Sequence, residues 1–268
     1  MAEWVKKLDL AVRNVSSLRE FISRLGRVSR TAGSELLDLC LPRSCAGCEK
    51  IDPSSPGFWC AECLLRLPHI TSPICPQCGR PFPDAPDSCD HLCGECSRGA
   101  FHFDLARSAV LHSGIVRDRI HQLKFGGRLE WVPPLVELLE TALGSGVPKP
   151  QLVLPVPLHV KRLRERGFNQ SGLLARELGS RHRLPVAYDL LVRKDRTEPQ
   201  THLDRAARLK NVKGAFDVAD KSRVRGVRIL LVDDVFTTGT TLSECARTLK
   251  KRGSAEVYAL TVTRAMPA

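Results

Sequence analysis

The sequence predicts an α/β domain with a mostly parallel sheet, preceded by a small double zinc ribbon, and three stretches of its 268 residues carry that expectation. Ile229-Leu230-Leu231-Val232 is an uninterrupted apolar run ending in Asp233 and Asp234, the pattern of a strand buried on both faces. A helical pattern and a second apolar run, Val257 to Val262, follow it and complete a βαβ unit. Upstream, Cys45 to Cys96 holds paired cysteines and many prolines in place of any helical or strand period. These changes of character divide the chain into an extension over residues 1–33, a ribbon over 34–100 and a larger domain over 101–268.

The extension has no uninterrupted apolar core, because Lys6, Lys7, Arg13, Arg19, Arg24, Arg27 and Arg30 break it. No secretory signal peptide is read there, and no apolar run of membrane-spanning length occurs elsewhere, so a cytoplasmic protein without an integral membrane segment is expected. Leu18, Phe21, Ile22 and Leu25 have helical spacing, consistent with a basic amphipathic helix or a frayed terminal one. Lys and Arg total 41 against 29 Asp and Glu, a net charge of +12. Residues 1–100 are balanced at 12 against 12, so the whole excess lies in 101–268, where an anionic ligand belongs.

The cysteine pairs are Cys45/Cys48, Cys60/Cys63, Cys75/Cys78 and Cys93/Cys96. Two intervening residues let one turn present both thiolates to a single tetrahedral ion, and pairs 12 and 15 residues apart lie within reach of each other. A disulfide framework would need an export signal and four strained small loops. Two structural Zn²⁺ sites are therefore expected, each closed by four thiolates with no open position for chemistry. Cys40, Cys89 and Cys245 are left over; Cys245 falls on an apolar helix face, and Cys89 with His91 is a weaker alternative for the second site.

In the larger domain, Ile115, Val116, Ile120 and Leu123 form a helical stripe ending in Lys124-Phe125-Gly126-Gly127. Leu152 to Pro157 is a second short strand whose prolines suit its end. The basic run Lys161 to Gln170 follows, and Leu173, Leu174 and Leu178 resume a helix. A charge run is usually a solvated helix face; a strand end followed by basic and amide groups at a helix start is an anion site. Arg193 to Gly214 lacks an apolar period and reads as a mobile loop.

After the acid pair, Thr237-Thr238-Gly239-Thr240-Thr241 is small and hydroxylated, with Gly239 free to turn amides inward. Thr241-Leu242-Ser243-Glu244 has the form of a capping box, Leu242, Cys245, Ala246 and Leu249 make an apolar stripe, and Gly253 suits the helix C-terminus. Strand, loop and helix start together form a phosphate cradle. It lacks the lysine of a nucleoside-triphosphate loop and is preceded instead by two carboxylates that can accept from a sugar diol. The ligand so described is a ribose 5-phosphate, with Mg²⁺ if pyrophosphate is attached.

Val232-Asp233-Asp234-Val235-Phe236-Thr237-Thr238-Gly239-Thr240-Thr241 resembles the phosphoribosyl-pyrophosphate (PRPP) motif of type I phosphoribosyltransferases in the form carried by the ComF family. Leu36 to Cys48 is similar to the start of that family's double zinc ribbon, and Pro155-Val156-Pro157-Leu158-His159 with Arg166-Gly167-Phe168-Asn169-Gln170 is close to its signature. The resemblance implies the type I phosphoribosyltransferase fold, ribose binding by Asp233 and Asp234, and 5-phosphate binding by Thr237, Thr238, Gly239, Thr240 and Thr241. It further implies pyrophosphate binding around Pro157, Leu158, His159, Arg166, Asn169 and Gln170, with Mg²⁺ bound alongside PRPP. A hood over Arg193–Gly214 would exclude water from a cation-like transition state. Two departures stand out: His112 occupies a position where the family usually has tyrosine, and Glu198 stands within a usual Thr-Pro-Pro-Gln.

Two functional classes follow. One is an enzyme that displaces pyrophosphate from PRPP; no residue stands out as a general base, and the acceptor is unread. The other comes from the family's association with DNA uptake in natural transformation: a binder of single-stranded DNA that partners DNA-uptake proteins. Single-strand binding needs stacking aromatics in a basic groove, and at 5% aromatic the best candidates in this chain are Phe168 and Phe236.

Overall fold

The structure, a computed structural model, describes residues 44–51, 55, 57–82, 89–194 and 213–266. The extension, Cys40 and residues 195–212 of the expected hood lie outside the described residues.

Four strands run parallel: β1 (Leu105–Leu111), β2 (Leu152–Pro155), β5 (Arg228–Phe236) and β6 (Glu256–Arg264), in the order β1-β6-β5-β2. β3 (Leu191–Arg193) and β4 (Phe216–Val218) form a separate antiparallel pair. The apolar run Ile229 to Val232 is completely buried because both faces of β5 are covered. Each such side chain contributes about 1.5 to 3 kcal/mol. That burial offsets the cost of holding two carboxylates at the strand's end.

Alternation along the strands sorts the core into two layers. Val153, Leu230, Val232, Tyr258 and Leu260 face α3 (Gly114–Gly126), α4 (Val132–Gly144) and α6 (Gln170–His182). Leu154, Ile229, Leu231, Val257 and Ala259 face α7 (Thr240–Lys251) and the β3–β4 pair. Lys124-Phe125-Gly126-Gly127 ends α3 as its pattern suggests, with Gly127 in the left-handed conformation. The basic run differs from a single helix start. It makes a short helix, α5 (Val160–Arg166), stopped by left-handed Gly167, before Asn169 caps α6.

The cysteine segments lie on opposite faces of this sheet. Ala46, Trp59 and Leu67, from the first segment and its short helix α1 (Ala61–Arg66), pack with the α3–α4–α6 layer. Cys75, Cys78, Cys93 and Cys96, from the second segment and α2 (Gly94–Ser97), pack with the α7 layer. The chain passes between them along the outer edge of β1, where Ile70 N donates to Ala109 O at 3.1 Å and Leu111 N to Pro68 O at 2.9 Å. That edge is thereby covered. On the β2 edge, Val153 N donates to Pro185 O at 2.9 Å and Val153 O accepts from Ala187 N at 3.1 Å.

Candidate functional site: an acid pair, two loops and two cysteine tetrads

Asp233 and Asp234 sit at the C-terminal end of β5, where ligands gather in open α/β sheets. The Ser171 hydroxyl, one residue into α6, donates to Asp233 Oδ1 at 2.6 Å. Lys124, from the end of α3, forms an ion pair with Asp234, which is only 3% exposed. Burial, and then the Asp234 carboxylate beside it, push the Asp233 carboxyl up to about 7, with Ser171 and Lys124 opposing. Nothing local in the sequence marks Lys124 or Ser171 for this site. A lysine closing a helical stripe and a serine opening a helix are ordinary, and only the sheet order brings them to one carboxylate pair.

His112 lies at the same end of the sheet. Its Nδ1 is 2.8 Å from Thr263 Oγ1, and burial followed by the Lys124 ammonium lowers its pKa, which favours the neutral imidazole.

The Thr237–Thr241 loop turns at Gly239, whose φ is +73°, and a Cβ there would stand 2.5 Å from the Phe236 ring and 2.8 Å from that of Phe101. Glycine is required on both counts. Thr238 Oγ1 lies 2.8 Å from Thr240 Oγ1 and accepts from Thr240 N at 3.4 Å. The expected capping box does not form, because Gly239 is the N-cap of α7 and makes no side-chain cap. Glu244 instead accepts from Gly214 N at 2.7 Å and pairs with Arg247, while Ser243 Oγ accepts from His102 N at 3.1 Å. The first amide of α7, Thr240 N, is thus held by Thr238 from within the loop and not by a capping residue.

In the second loop, Val156 N bonds to Val232 O at 3.0 Å, which ties the loop start to β5. Pro157, Leu158 and His159 are half-buried. His159 Nδ1 accepts from Lys161 N at 3.1 Å, and its buried Nε2 has no partner among the described residues. Arg166 donates to Gln170 Oε1 at 3.2 Å and lies over the Phe125 ring at 4.8 Å. Both polar ends of Asn169 are engaged within the chain, Oδ1 by Ser171 N and Nδ2 by Val156 O, each at 3.1 Å, so its side chain shapes the loop. These contacts connect the loop to the acid pair: Arg166 to Gln170, then Ser171 to Asp233.

Phe236 does not fit the stacking role expected for it: it is 1% exposed, edge-on to Phe101 and Phe103, because it ends a strand buried on both faces. Phe168 is half-buried against the α3–α4–α6 layer. An exposed aromatic near the acid pair is Phe125, at 64%, with the Arg166 guanidinium of α5 over its ring at 4.8 Å.

The eight paired cysteines form two groups, Cys45/Cys48/Cys60/Cys63 and Cys75/Cys78/Cys93/Cys96, with sulfurs within 4.8 Å of one another in each. Cys48 and Cys60 Sγ are 3.9 Å apart and Cys78 and Cys93 Sγ 3.7 Å. A tetrahedron with metal–sulfur bonds of about 2.3 Å requires about 3.8 Å between sulfurs, so both groups fit zinc and neither distance is a disulfide. Backbone amides orient the sulfurs, with Cys60 N donating to Cys45 Sγ at 3.2 Å and Cys93 N to Cys75 Sγ at 3.4 Å. Cys89 is exposed and outside the group, His91 stacks on Phe82, and Cys245 is fully buried in the core. Among the described residues no helix is long and apolar enough to cross a membrane.

The comparisons with known proteins agree with this architecture. Residues 36–97 match the double zinc ribbon domain model and 163–266 the phosphoribosyl transferase domain model. The "DNA utilization protein YhgH" of Salmonella typhi is 33% identical over 239 residues, covering 85% of this chain and 100% of that protein. "Competence protein ComFC" of Bacillus subtilis is 32% identical over 76% of this chain and 83% of its own length. "Competence protein F" of Haemophilus influenzae is 28% identical over 78% and 98%. With a double zinc ribbon, a phosphoribosyltransferase-type parallel sheet and relatives of 32 and 33% identity covered to 83% and 100% of their length, the chain belongs to the ComF family.

Proposed function

We propose that this protein binds PRPP, with Asp233 and Asp234 accepting from the ribose hydroxyls, Thr237 to Thr241 holding the 5-phosphate, and the Pro157–His159 loop with Arg166 and Gln170 receiving the pyrophosphate. The observation that carries the reading is the acid pair itself. Two carboxylates lie together at the end of a buried strand, one accepting a hydroxyl at 2.6 Å and the other neutralised by Lys124. The Ser171 bond is the kind of alcohol-to-carboxylate hydrogen bond that a ribose diol makes, and the ammonium offsets the repulsion between these acids and a phosphorylated ligand. The Nε2 of His159, without a partner among the described residues, offers a donor to the pyrophosphate.

On this reading the bond from the ribose anomeric carbon to pyrophosphate breaks, a bond to the acceptor forms, and pyrophosphate leaves. Mg²⁺, bound with PRPP, supplies charge neutralisation of that leaving group. Each cysteine tetrad holds one structural Zn²⁺.

Calorimetry with PRPP and Mg²⁺ tests the reading. Replacing both Asp233 and Asp234 with Asn keeps their size but removes charge and acceptor capacity, and is expected to weaken PRPP tens-fold, about 1 to 2 kcal/mol per hydrogen bond. A site recognising phosphate by charge alone would respond in the opposite sense, so tighter binding by the double variant would overturn the ribose assignment.

A second reading, binding of single-stranded DNA, is favoured by one surface feature. Phe125 stands exposed under the Arg166 guanidinium at 4.8 Å, the pairing of aromatic and basic groups that such strands use. A titration with single-stranded DNA at two salt concentrations, run beside the PRPP experiment, separates the two, since binding through phosphates falls steeply with salt.

A further inference from the structure

We propose that Arg264 is a positioning residue joining the second cysteine tetrad to the Thr237–Thr241 loop, so that metal held by that tetrad and phosphate held by that loop strengthen one another. The inference rests on the loop being the phosphate binder and goes beyond it. A structural zinc is made part of the ligand site.

Arg264 ends β6 opposite Phe236, which ends β5, and is 4% exposed. Its Nη1 donates to Cys78 O at 2.7 Å, and its Nη2 lies 3.7 Å from Cys78 Sγ. The guanidinium carbon is 4.1 Å from the centre of the Phe236 ring. One side chain therefore touches a ligand of the metal group with its edge and an aromatic floor with its face, a combination available to the planar guanidinium and not to an ammonium. The Phe236 ring in turn packs against Gly239 so closely that no Cβ fits between them.

The contacts close into a circuit. Phe101 also lies against Gly239 and stacks on Phe103 at 4.9 Å between ring centres. Phe103 O accepts from Gln77 Nε2 at 3.1 Å, and Gln77 stands between Cys75 and Cys78. From the cysteine turn there are thus two routes to Gly239, one through Arg264 and Phe236 and one through Phe103 and Phe101. Four thiolates around one Zn²⁺ carry a net charge of −2, which the buried Arg264 partly balances; without the metal, the sulfurs no longer share one centre and the Cys78 anchor is free to shift. Interiors this closely packed transmit such a shift and do not absorb it.

Linkage makes the proposal measurable, because coupling between two bound species is reciprocal. Zinc affinity of the full chain is titrated against a chromophoric chelator with and without saturating ribose 5-phosphate, and ribose 5-phosphate affinity is measured separately by calorimetry. In the wild-type protein, one of the two zinc ions is expected to bind about tenfold more tightly in the presence of ribose 5-phosphate, within the usual range of coupled sites. Arg264→Gln is expected to abolish that difference and to weaken ribose 5-phosphate about tenfold. Arg264→Lys, which keeps the charge without the fork or the stacking plane, restores less than half of either effect. Arg119→Lys, on the opposite face of the sheet, leaves the difference intact.

Ribose 5-phosphate binding that leaves both zinc affinities unchanged in the wild-type protein would overturn the coupling while sparing the loop assignment. Arg264→Gln retaining the tenfold difference would overturn the role of the arginine. Absence of any ribose 5-phosphate binding overturns the loop assignment and the coupling with it. Should Arg264→Gln fail to fold, the wild-type titration and Arg264→Lys still decide.

Discussion

The two cysteine tetrads share ligand type and spacing, yet the fold uses them differently. The first has Cys48 exposed and Cys63 half-buried, and is clasped from outside the thiolates: Arg119 donates to Ala46 O at 2.8 Å, pairs with Glu49 at 2.7 Å and lies 4.0 Å above the Trp131 ring. Trp59 Nε1 adds a bond to Pro134 O at 3.0 Å and Phe58 N one to Glu137 at 2.7 Å, so this ribbon is docked on the helices around its metal group. In the second tetrad all four cysteines are buried and belong to the core that contains Phe236 and Leu242. A zinc ribbon defined by its cysteines is therefore not a separate module; the first is docked on the sheet and the second is part of its packing.

The largest expected effect tests that difference directly. Cys75→Ser should unfold the region around β1 and α7, with a loss of more than about 4 kcal/mol in urea denaturation, since a buried metal site is lost from the core. Cys48→Ser at the exposed position should cost about half as much, because the Arg119, Trp59 and Phe58 contacts survive. Equal losses would erase the distinction.

The glycines of the two turns sharpen it further. Gly79 has φ +69°, and a Cβ there would lie 2.8 Å from the Ala106 carbonyl oxygen, so Gly79→Ala should lower stability by about 2 kcal/mol by pushing the second turn off β1. At Gly47 the Cβ would meet the Cys63 side chain at 2.6 Å. Gly47→Ala should therefore show as weaker zinc retention, measured with a chelator, and little as a change in unfolding.

The smallest effect comes from outside either ribbon. Folding raises the Asp233 carboxyl from 3.8 to about 7, so the folded state holds this proton more tightly and the wild-type protein loses stability as pH rises between those values. Asp233→Asn should be more stable by about 1 to 2 kcal/mol at pH 8, with the gain fading through pH 7 to 4 and absent below. Thermal unfolding across that range checks the sign. Both zinc ions should be retained equally in variant and wild type, so a change at either tetrad would show that the acid pair also supports a ribbon.

Features that depend on neighbours along the chain are legible in the residues alone. Four Cys-x-x-Cys turns, a buried strand carrying two acids near its end, a glycine that turns the following loop and the helix behind it are all written within windows of a dozen residues, where spacing dictates geometry. Where a local rule had a close competitor it misled, as with Thr241 to Glu244, because Gly239 could start the helix earlier and leave Glu244 to Gly214. The tertiary structure alone decided which distant groups meet. Lys124 reaches Asp234, Ser171 reaches Asp233, and Arg264 reaches Cys78 across 186 residues. It also removed Phe236 from the surface and placed the two ribbons on opposite faces. These outcomes follow from the strand order β1-β6-β5-β2 and the path along the β1 edge, and such long-range pairing is set by the total burial of both sheet faces, a quantity no single stretch of sequence contains.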